Sequence, residues 1–280
     1  MTATMTAARL DAELVRRGLA RSRGHAADLV AGGRVRVDGT VVRRASTTVR
    51  DDQELGVEAD PDDPGYASRA AHKLADALDA WGVSGPRVAG RTCLDAGAST
   101  GGFTDVLLRR GAAGVVAVDV GHGQLVARLR EDPRVDVREH VNVRDLSGGD
   151  VVPAPGLVVG DLSFISLRLV LGPLLDVAAP GADLVLLVKP QFEVGRERLG
   201  HDGVVRDPRL WREAVAGVCS DALDRGATVL DVRPSTLPGT HGNVEFVLRL
   251  VAPGGPVGAP APDLDATIDA AVDAATGGDR

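Results

Sequence analysis

Two lysines stand out because nearly every other cationic position in this chain is arginine. The 280 residues contain 32 lysines and arginines, and only Lys73 and Lys189 are lysines. Arginine stays charged near neutral pH, whereas a lysine withdrawn from water can lose its proton and act as a base. Lys189 directly follows the apolar run 183–188, and Lys73 lies in a segment with helical spacing. These two residues are the first candidates for proton chemistry.

Two acidic residues also lie at the ends of apolar runs. Asp161 ends the apolar run 157–161, and Glu245 begins the last apolar run, 244–251. The carboxyl ends of parallel strands meet at one edge of a sheet, and an antiparallel strand starts at that same edge. We therefore expect four side chains to converge there. They are Lys73, Asp161, Lys189 and Glu245.

A glycine-rich turn, LDAGASTGGFTD at residues 94–105, joins an apolar run to a helical pattern. The first strand-to-helix turn of an open α/β sheet is where ligands collect. The turn has no lysine for a phosphate-binding P-loop, and its glycine spacing differs from G-x-G-x-x-G. The carboxylate of Asp95 would repel a pyrophosphate. The turn is better suited to a cationic nucleoside such as S-adenosylmethionine.

Further polar residues follow the next strands. Asp119 ends the run 114–119, about 20 residues after the turn, where a carboxylate binds ribose hydroxyls. Asn142 follows the third run and could reach an adenine edge. The residues predicted to bind the cofactor are Asp95, Gly97, Ser99, Gly101, Phe103, Asp119 and Asn142.

Strand-like and helical segments alternate through residues 68–251, which predicts a doubly wound α/β domain. Ser68 is expected to cap a helix over 69–81 that Gly82 ends. Only a short loop separates the last two strands, so they should pair antiparallel. This is the mostly parallel, seven-stranded sheet of a Rossmann-like class I methyltransferase. The predicted strands are 92–96, 114–119, 135–140, 157–161, 183–188, 227–233 and 244–251.

Residues 1–58 predict a small α+β RNA-binding domain. One helix ends at Gly18, Ser22 caps a second, and Asp38-Gly39 turns a hairpin that a strand at 55–57 completes. Ten arginines and four acidic residues occupy positions 1–50, although the whole chain has a net charge of −7. Clustered arginines are typical of a phosphate-contacting surface. The predicted RNA-binding residues are Arg16, Arg17, Arg21, Arg23, Arg34 and Arg36.

The remaining segments carry less chemistry. An acidic Pro/Gly linker is expected at 59–67, and a disordered tail at 252–280 apart from a helical turn near 268–272. Cys93 and Cys219 have no metal-ligand neighbours, so we expect buried thiols, no metal site and a reducing cytoplasm. No apolar run is long enough to span a bilayer, and no secretion signal begins the chain, so no membrane association is expected.

Longer motifs carry a family resemblance. The first module, with Arg17-Gly18-Leu19 and residues 33–39 (GRVRVDG), resembles the small alpha-L-type RNA-binding domain of a small-subunit ribosomal protein, pseudouridine synthases and tyrosyl-tRNA synthetases. The turn at 94–105, together with Asp161-Leu-Ser-Phe-Ile-Ser166, Lys189-Pro-Gln-Phe-Glu193 and Gly242-Asn-Val-Glu-Phe246, resembles the TlyA (hemolysin A) family. That family is related to FtsJ-type ribose methyltransferases.

The TlyA resemblance implies an activity and roles for four residues. It implies methylation of cytidine 2′-hydroxyls in ribosomal RNA of the small subunit and, as in mycobacterial members, the large subunit. It further implies sensitivity to capreomycin-type antibiotics. The family's Lys-Asp-Lys-Glu tetrad falls on Lys73, Asp161, Lys189 and Glu245, with Lys189 the candidate base. One departure is Ala70, where relatives often carry glycine.

Three other functions remain open from the sequence. Methylation of a base at carbon 5 needs a cysteine nucleophile in the crevice, and methylation of an amino group usually shows Asn/Asp-Pro-Pro-aromatic where this chain has Asp161-Leu-Ser-Phe164. A non-catalytic RNA-binding or ribosome assembly factor would need no tetrad. A pore-forming toxin, which the family's older name implies, would need an apolar segment that the sequence lacks.

Overall fold

The computed structural model describes residues 7–21, 23–58, 64–255, 260–261 and 263–277. The chain divides into two compact units, Met1–Arg69 and Ala70–Arg280. The predicted helix cap at Ser22 and most of the predicted linker, residues 59–63, lie outside the described residues.

The first unit combines two helices with two small sheets. A three-stranded antiparallel sheet has the order β3-β2-β5, and β1 pairs antiparallel with β4. The sequence analysis did not predict the β1–β4 pair, because three-residue strands are too short to show alternation. The elements are β1 (Ala7–Arg9), α1 (Leu10–Arg16), α2 (Arg23–Ala31), β2 (Val35–Val37), β3 (Thr40–Val41), β4 (Thr48–Arg50) and β5 (Leu55–Val57).

Local turn chemistry explains this small unit. Asp38 and Gly39 both have positive φ, 49° and 78°, which is the two-residue hairpin turn that the sequence predicts. Gly18, with φ 70°, follows the end of α1 as expected. The helices and β2 enclose an apolar core. Its fully buried members include Leu10, Leu14, Ala26, Val30 and Val35.

The second unit is a seven-stranded sheet flanked by helices, with strand order β11-β12-β10-β9-β6-β7-β8. Its strands are β6 (Thr92–Ala96), β7 (Gly114–Val118), β8 (Val135–Arg138), β9 (Leu157–Gly160), β10 (Asp183–Val188), β11 (Thr228–Pro234) and β12 (Phe246–Val251). Its helices are α3 (Ala71–Trp81), α4 (Gly102–Arg109), α5 (Ala127–Arg130), α6 (Leu171–Val177), α7 (Pro190–Glu193), α8 (Pro208–Asp224) and α9 (Leu264–Gly277).

The strand directions confirm the predicted architecture. The neighbouring strands β10-β9-β6-β7-β8 are parallel, and β12 runs antiparallel to both β10 and β11. Every residue of β9 and β10 is buried, as expected for central strands covered on both faces. Val188 pairs with Phe246, so the residues just beyond them, Lys189 and Glu245, lie at the same sheet edge.

The structure confirms the predicted C-terminal end of α3 but not its predicted N-terminal end. Gly82, with φ 52°, ends α3 as expected. The predicted cap at Ser68 is wrong, because α3 begins at Ala71 with Ala70 at the cap position and no capping side chain. Residues 67–70 form bends and turns instead of a first helical turn.

The chain after β12 is more ordered than its composition predicts. Helix α9 spans Leu264–Gly277 and buries Ile268, Ala271 and Val272 in the main core. Apolar residues spaced three and four apart give the helix one apolar face, which the high content of alanine, glycine, proline and aspartate obscured. The prediction of a tail with only a helical turn is therefore wrong for 264–277, whereas 256–259, 262 and 278–280 lie outside the described residues. Among the described residues, no helix has the length and apolarity to cross a bilayer.

Candidate active site

Four predicted side chains meet at the carboxyl edge of the sheet. Asp161 directly follows β9, Lys189 follows β10, and Glu245 precedes β12. Lys73 comes from the first turn of α3. The register of β10 with β12 brings Lys189 and Glu245 to one edge, and ion-pair distances link them with Lys73 and Asp161, so the predicted convergence is confirmed.

Ion pairs link the four side chains in one chain. Glu245 Oε2 accepts a hydrogen bond from Lys73 Nζ at 2.6 Å. Asp161 stands between the two lysines, with Oδ2 at 3.6 Å from Lys73 Nζ and Oδ1 at 2.6 Å from Lys189 Nζ. Lys189 Nζ also donates to Ser163 Oγ at 2.9 Å.

Burial makes this pairing necessary. The exposed fractions of the four side chains are 9% for Lys73, 15% for Asp161, 7% for Lys189 and 2% for Glu245. A buried charge is costly unless an opposite charge or a hydrogen bond compensates for it. Two cations and two anions make the cluster neutral, and removal of any one of them leaves a buried charge unbalanced.

Two clefts open beside this cluster. One, of about 580 Å³, is lined by Lys189, Gln191, Asn243 and Glu245, and we call it the lysine cleft. The other, of about 790 Å³, is lined by the glycine turn and the ends of β7 and β9, and we call it the turn cleft. Five residues form a wall common to both clefts: Ser163, Phe164, Ile165, Ser166 and Phe192.

The turn cleft contains four of the seven residues predicted to bind a cofactor: Gly97, Ser99, Asp119 and Asn142. The Asp119 carboxylate accepts hydrogen bonds from the backbone N–H groups of Ser99 at 2.8 Å and Gly121 at 2.7 Å. Asn142 accepts from the Arg144 N–H at 3.0 Å and caps a short 3₁₀ turn.

Gly97 brings the turn close to the loop after β9. Its φ is 86°, and a Cβ there would lie 3.0 Å from Leu162 Cδ2 and 3.2 Å from the Asp161 carbonyl oxygen. Only glycine combines this φ with such a close approach. The backbone therefore passes directly beside the residues that carry Asp161.

The other three predicted cofactor residues, Asp95, Gly101 and Phe103, do not line the turn cleft. Gly101 has φ 95°, and a Cβ there would collide with Leu125 and Leu129. This glycine is therefore needed so that the two leucines can pack against the turn. Phe103 is buried, with 4% exposed. Asp95 is fully buried at the end of β6 and accepts a hydrogen bond from Thr104 Oγ1 at 2.6 Å, while its Oδ1 has no partner among the described residues. The structure thus places Asp95 beneath the turn.

Burial raises the pKa of Asp95 to about 7, although the hydrogen bond from Thr104 opposes the shift. Between the ordinary carboxyl pKa and about 7, the folded protein holds a proton that the unfolded chain has released. The free energy of unfolding must therefore fall as pH rises through this range and level off above it.

We expect Asp95→Asn to remove this pH dependence. Between about pH 5 and about pH 7.5, the free energy of unfolding of the parent protein should fall relative to that of the variant by about 2 kcal/mol. Urea denaturation of both proteins at the two pH values measures the difference, and the comparison cancels all other titrating groups. Parallel pH profiles for the two proteins would contradict a neutral, buried Asp95.

The arginines of the first unit are organised by two buried carboxylates. Glu13 is 2% exposed and bonds Arg16 and Arg17, and the hydrogen bond from Arg16 lowers its pKa to about 2. Arg17 also donates to the Gln53 carbonyl oxygen at 2.7 Å. Asp11, 5% exposed, pairs with Arg23 at 3.0 Å. These pairs fix where the guanidinium groups point.

The remaining predicted RNA-binding arginines are Arg21, Arg34 and Arg36. Arg36 lies 3.6 Å from Glu58 and donates to the Gly39 carbonyl oxygen at 3.3 Å. Arg21 and Arg34 also take part in interactions within the chain. An arginine-rich surface is thus present, but its members are not all equally available to a ligand.

The two cysteines lie away from both clefts. Cys93 and Cys219 are free and fully buried, in β6 and α8 respectively, as predicted. Burial raises the pKa of each thiol to about 12, so neither is a nucleophile near neutral pH. Among the described residues, no cluster of three or more His, Cys, Asp and Glu side chains could hold a metal ion.

Sequence reasoning missed two residues that shape the cluster. Ser163 bonds Lys189, and a signal for it existed, because it lies two residues after Asp161. Gly239 makes room for Glu245: a Cβ there would lie 2.0 Å from Glu245 Oε1. No local pattern predicts that contact, since the loop between β11 and β12 brings it about.

Comparison with known proteins identifies the family. FtsJ-like methyltransferases match residues 66–251, and the S4 domain matches residues 8–55. The 16S/23S rRNA (cytidine-2′-O)-methyltransferase TlyA of Mycobacterium tuberculosis is 53% identical, covering 87% of this chain and 89% of the relative. Hemolysin A of Brachyspira hyodysenteriae is 35% identical, covering 87% and 99%.

A solved structure has the same organisation. A candidate hemolysin from Streptococcus thermophilus superposes with a TM-score of 0.76 at 36% identity, covering 98% of this chain and 97% of that one. The agreement extends over both units of the chain. With an S4 domain ahead of an FtsJ-like methyltransferase domain and these relatives along most of its length, the chain belongs to the TlyA family of FtsJ-like methyltransferases.

Proposed function

We propose that this protein transfers a methyl group from S-adenosylmethionine to the 2′-hydroxyl of cytidines in ribosomal RNA. The observation that carries the proposal is the chain Glu245–Lys73–Asp161–Lys189 at the junction of two clefts. The TlyA of M. tuberculosis, 53% identical, is named for this reaction on 16S and 23S rRNA. A ribosomal RNA substrate puts the reaction in the cytoplasm.

The turn cleft suits S-adenosylmethionine. At about 790 Å³ it is large enough for a nucleoside with an amino-acid arm. Asp119 at the end of β7 stands where a carboxylate takes ribose hydroxyls, and Asn142 offers an amide to a base edge. Gly97 lines this cleft with backbone atoms alone, because it has no side chain. When bound, S-adenosylmethionine supplies a methyl group whose bond to sulfur breaks with the electron pair left on sulfur.

Lys189 is the general base in this proposal. The 2′-oxygen forms the new bond to the methyl carbon, and its proton passes to the Nζ lone pair of Lys189, which lines the lysine cleft and must be in its neutral form to accept it. Asp161 holds Lys189 from one side and Lys73 from the other. Glu245 balances the charge of Lys73. The cluster thus keeps the Lys189 amine in place beside one cation and two anions, whose net negative charge balances the proton that Lys189 gains.

Glu245 depends on Gly239 for its position, which leads to a test. In Gly239→Ala, the new methyl group would occupy the space of the Glu245 carboxylate and push it away from Lys73 Nζ. We expect methyl transfer to fall about tenfold or more, since small misplacements in an active site are costly. The thermal midpoint should also fall, because a buried carboxylate is pushed away from the cation that compensates its charge.

Gly217→Ala provides the matched control. Gly217 lies in α8, and the nearest atom to a Cβ there, in Arg168, is 3.9 Å away. This variant should methylate at the parent rate. Parent-level transfer by Gly239→Ala would show that the contact between Glu245 and Lys73 is not needed.

The arginine-rich unit binds RNA in this proposal. Arg23 and Arg36 are suitable test positions because their side chains are 62% and 47% exposed, and because buried Asp11, the partner of Arg23, keeps its ion pair with Arg9. In the double variant Arg23→Gln/Arg36→Gln, the slope of log affinity against log salt concentration should fall by about 1.5. Titration of ribosomal RNA over a range of salt concentrations measures it. Arg212→Gln, which removes an exposed partner of Asp265 and Asp269, should leave the slope unchanged. An unchanged slope in the double variant would contradict phosphate contacts by these arginines.

The cysteines argue against methylation of a base carbon. That reaction needs a thiolate in the crevice, whereas Cys93 and Cys219 are buried with pKa values of about 12. A non-catalytic RNA-binding factor would have no use for two buried, paired lysines at the edge of a methyl-donor cleft.

Mapping of ribose methylation in ribosomal RNA tests the proposal directly. Ribosomal subunits from cells lacking the protein are incubated with the purified protein and S-adenosylmethionine. We expect new 2′-O-methyl groups on cytidines, detected by mass spectrometry of the nucleosides. A methyl group on a base, or no methyl group with either subunit, would overturn the proposal.

A further inference from the structure

Lys189 has one well-aligned hydrogen bond among the described residues. Its Nζ donates to Ser163 Oγ at 2.9 Å. The 2.6 Å contact with Asp161 Oδ1 is an ion pair by distance, but that oxygen has no partner that meets hydrogen-bond angles. An ion pair sets how far apart the charges lie, whereas a hydrogen bond also sets direction. Ser163 is therefore the residue that orients the amine.

Ser163 lies on the wall common to the turn cleft and the lysine cleft. The loop that carries it is held at its far end by Glu193, which accepts from Ser166 Oγ at 2.5 Å and from the Leu167 N–H at 2.8 Å. Asp161, against Lys189, holds the near end. The Ser163 hydroxyl is thus presented to Lys189 from a segment secured on both sides.

The hydrogen bond from Lys189 to Ser163 affects where the lone pair of the neutral amine points. A protonated Lys189 has three N–H groups: one bonds Ser163, while the Asp161 carboxylate lies 2.6 Å from the nitrogen without a directed hydrogen bond. Lys189 also lines the lysine cleft. When the proton is lost, a lone pair takes the place of one N–H. An N–H group is kept toward Ser163, and the negative charge of Asp161 repels a lone pair, so the lone pair is favoured toward the cleft, where the hydroxyl proton must be received.

We propose that Ser163 is a positioning residue that aims the Lys189 amine at the 2′-hydroxyl. This inference rests on the proposed function. Ser163 itself exchanges no proton with the substrate: the 2′-hydroxyl proton goes to Lys189 Nζ, and the Ser163 oxygen only accepts a hydrogen bond. The hydroxyl matters here, and not the side chain's bulk, because Ser163 is exposed and packs little.

Three variants distinguish orientation of the Lys189 amine by Ser163 from a general effect on the order of the loop that follows β9. Ser163→Ala removes the acceptor, and Ser163→Thr keeps it with an added methyl group that an exposed position can accommodate. Arg168→Gln instead removes the ion pair with Asp221 of α8 that anchors the chain just after this loop, and Arg168 lines neither cleft. The probes are labelled S-adenosylmethionine with purified small and large ribosomal subunits. Single-turnover rates at saturation, dissociation constants for both substrates and thermal midpoints are measured.

We expect Ser163→Ala to lower the single-turnover rate at least about tenfold while both dissociation constants stay within about twofold. Ser163→Thr should recover most of the rate, and Arg168→Gln should stay within about threefold of the parent. This split between rate and binding, with rescue by threonine, would not arise from a general loosening of the loop.

Other results would overturn the proposal. A parent-like rate in Ser163→Ala, or a threonine variant as slow as alanine, would show that the hydroxyl does not aim the amine. An equal loss in Arg168→Gln would assign the effect to loop order. In each of these cases the parent protein still methylates ribose and the proposed function stands. Failure of the parent itself to do so would remove both.

Discussion

Lys189→Arg is expected to abolish methyl transfer while the protein still folds and binds S-adenosylmethionine. Arginine keeps the positive charge beside Asp161 but cannot give up its proton near neutral pH, so it cannot accept one from the 2′-hydroxyl. Because general base catalysis contributes about 10²- to 10⁴-fold, we expect the single-turnover rate to fall at least about 10³-fold. Methyl incorporation into ribosomal subunits measures the rate, and calorimetric titration measures cofactor binding.

Lys73→Arg is the matched control for that variant. Lys73 has the role of a charge between Glu245 and Asp161, and arginine retains the charge. Its loss of rate should therefore be much smaller, about tenfold. Near-normal turnover in Lys189→Arg would remove Lys189 as the base, and equal losses in both variants would mean that the buried site tolerates no arginine at all.

Asp161→Asn should harm both activity and stability. The substitution leaves Lys73 and Lys189 facing each other with only the Glu245 carboxylate to balance them. An unbalanced buried charge is costly, and we expect the free energy of unfolding to fall by about 1–3 kcal/mol. Methyl transfer should fall about 10²-fold or more, because neither lysine keeps its place. Urea denaturation and single-turnover assays measure the two effects.

An exposed ion pair serves as the control for the effect of burial on stability. Asp265 pairs with Arg212 at 2.7 Å, but its side chain is 78% exposed. Asp265→Asn should change the free energy of unfolding by less than about 0.5 kcal/mol and leave transfer unchanged. If Asp161→Asn proved as harmless as Asp265→Asn, Asp161 would not be the link between the lysines.

Much of the fold could be predicted because its signals are local. The runs 92–96 and 183–188 are strands with these bounds, since continuous apolar residues are what a sheet covered on both faces requires. The hairpin at Asp38-Gly39 followed from backbone preference alone. The antiparallel last strand followed from chain length, because a parallel crossover needs more residues than the loop provides.

The features that could not be predicted from the sequence share a different cause. The β1–β4 pair and helix α9 depend on partners far away in sequence. The two strands are too short to be recognised alone, and the alanine- and aspartate-rich composition of α9 resembles that of a disordered segment. Asp95 belongs to the glycine turn in sequence, yet its side chain points beneath the turn. Spacing along a chain does not determine which side of a turn a side chain occupies.

The sequence by itself determined the kinds of residue at the sheet edge and that Lys73, Asp161, Lys189 and Glu245 would meet there, because strand direction and strand order follow from apolar patterning and loop length. Only the tertiary structure decided that Asp161 stands between the lysines, that Ser163 bonds Lys189 and that Gly239 makes room for Glu245. These contacts depend on differences of about an ångström between atoms, which packing across the whole domain sets and no local pattern encodes.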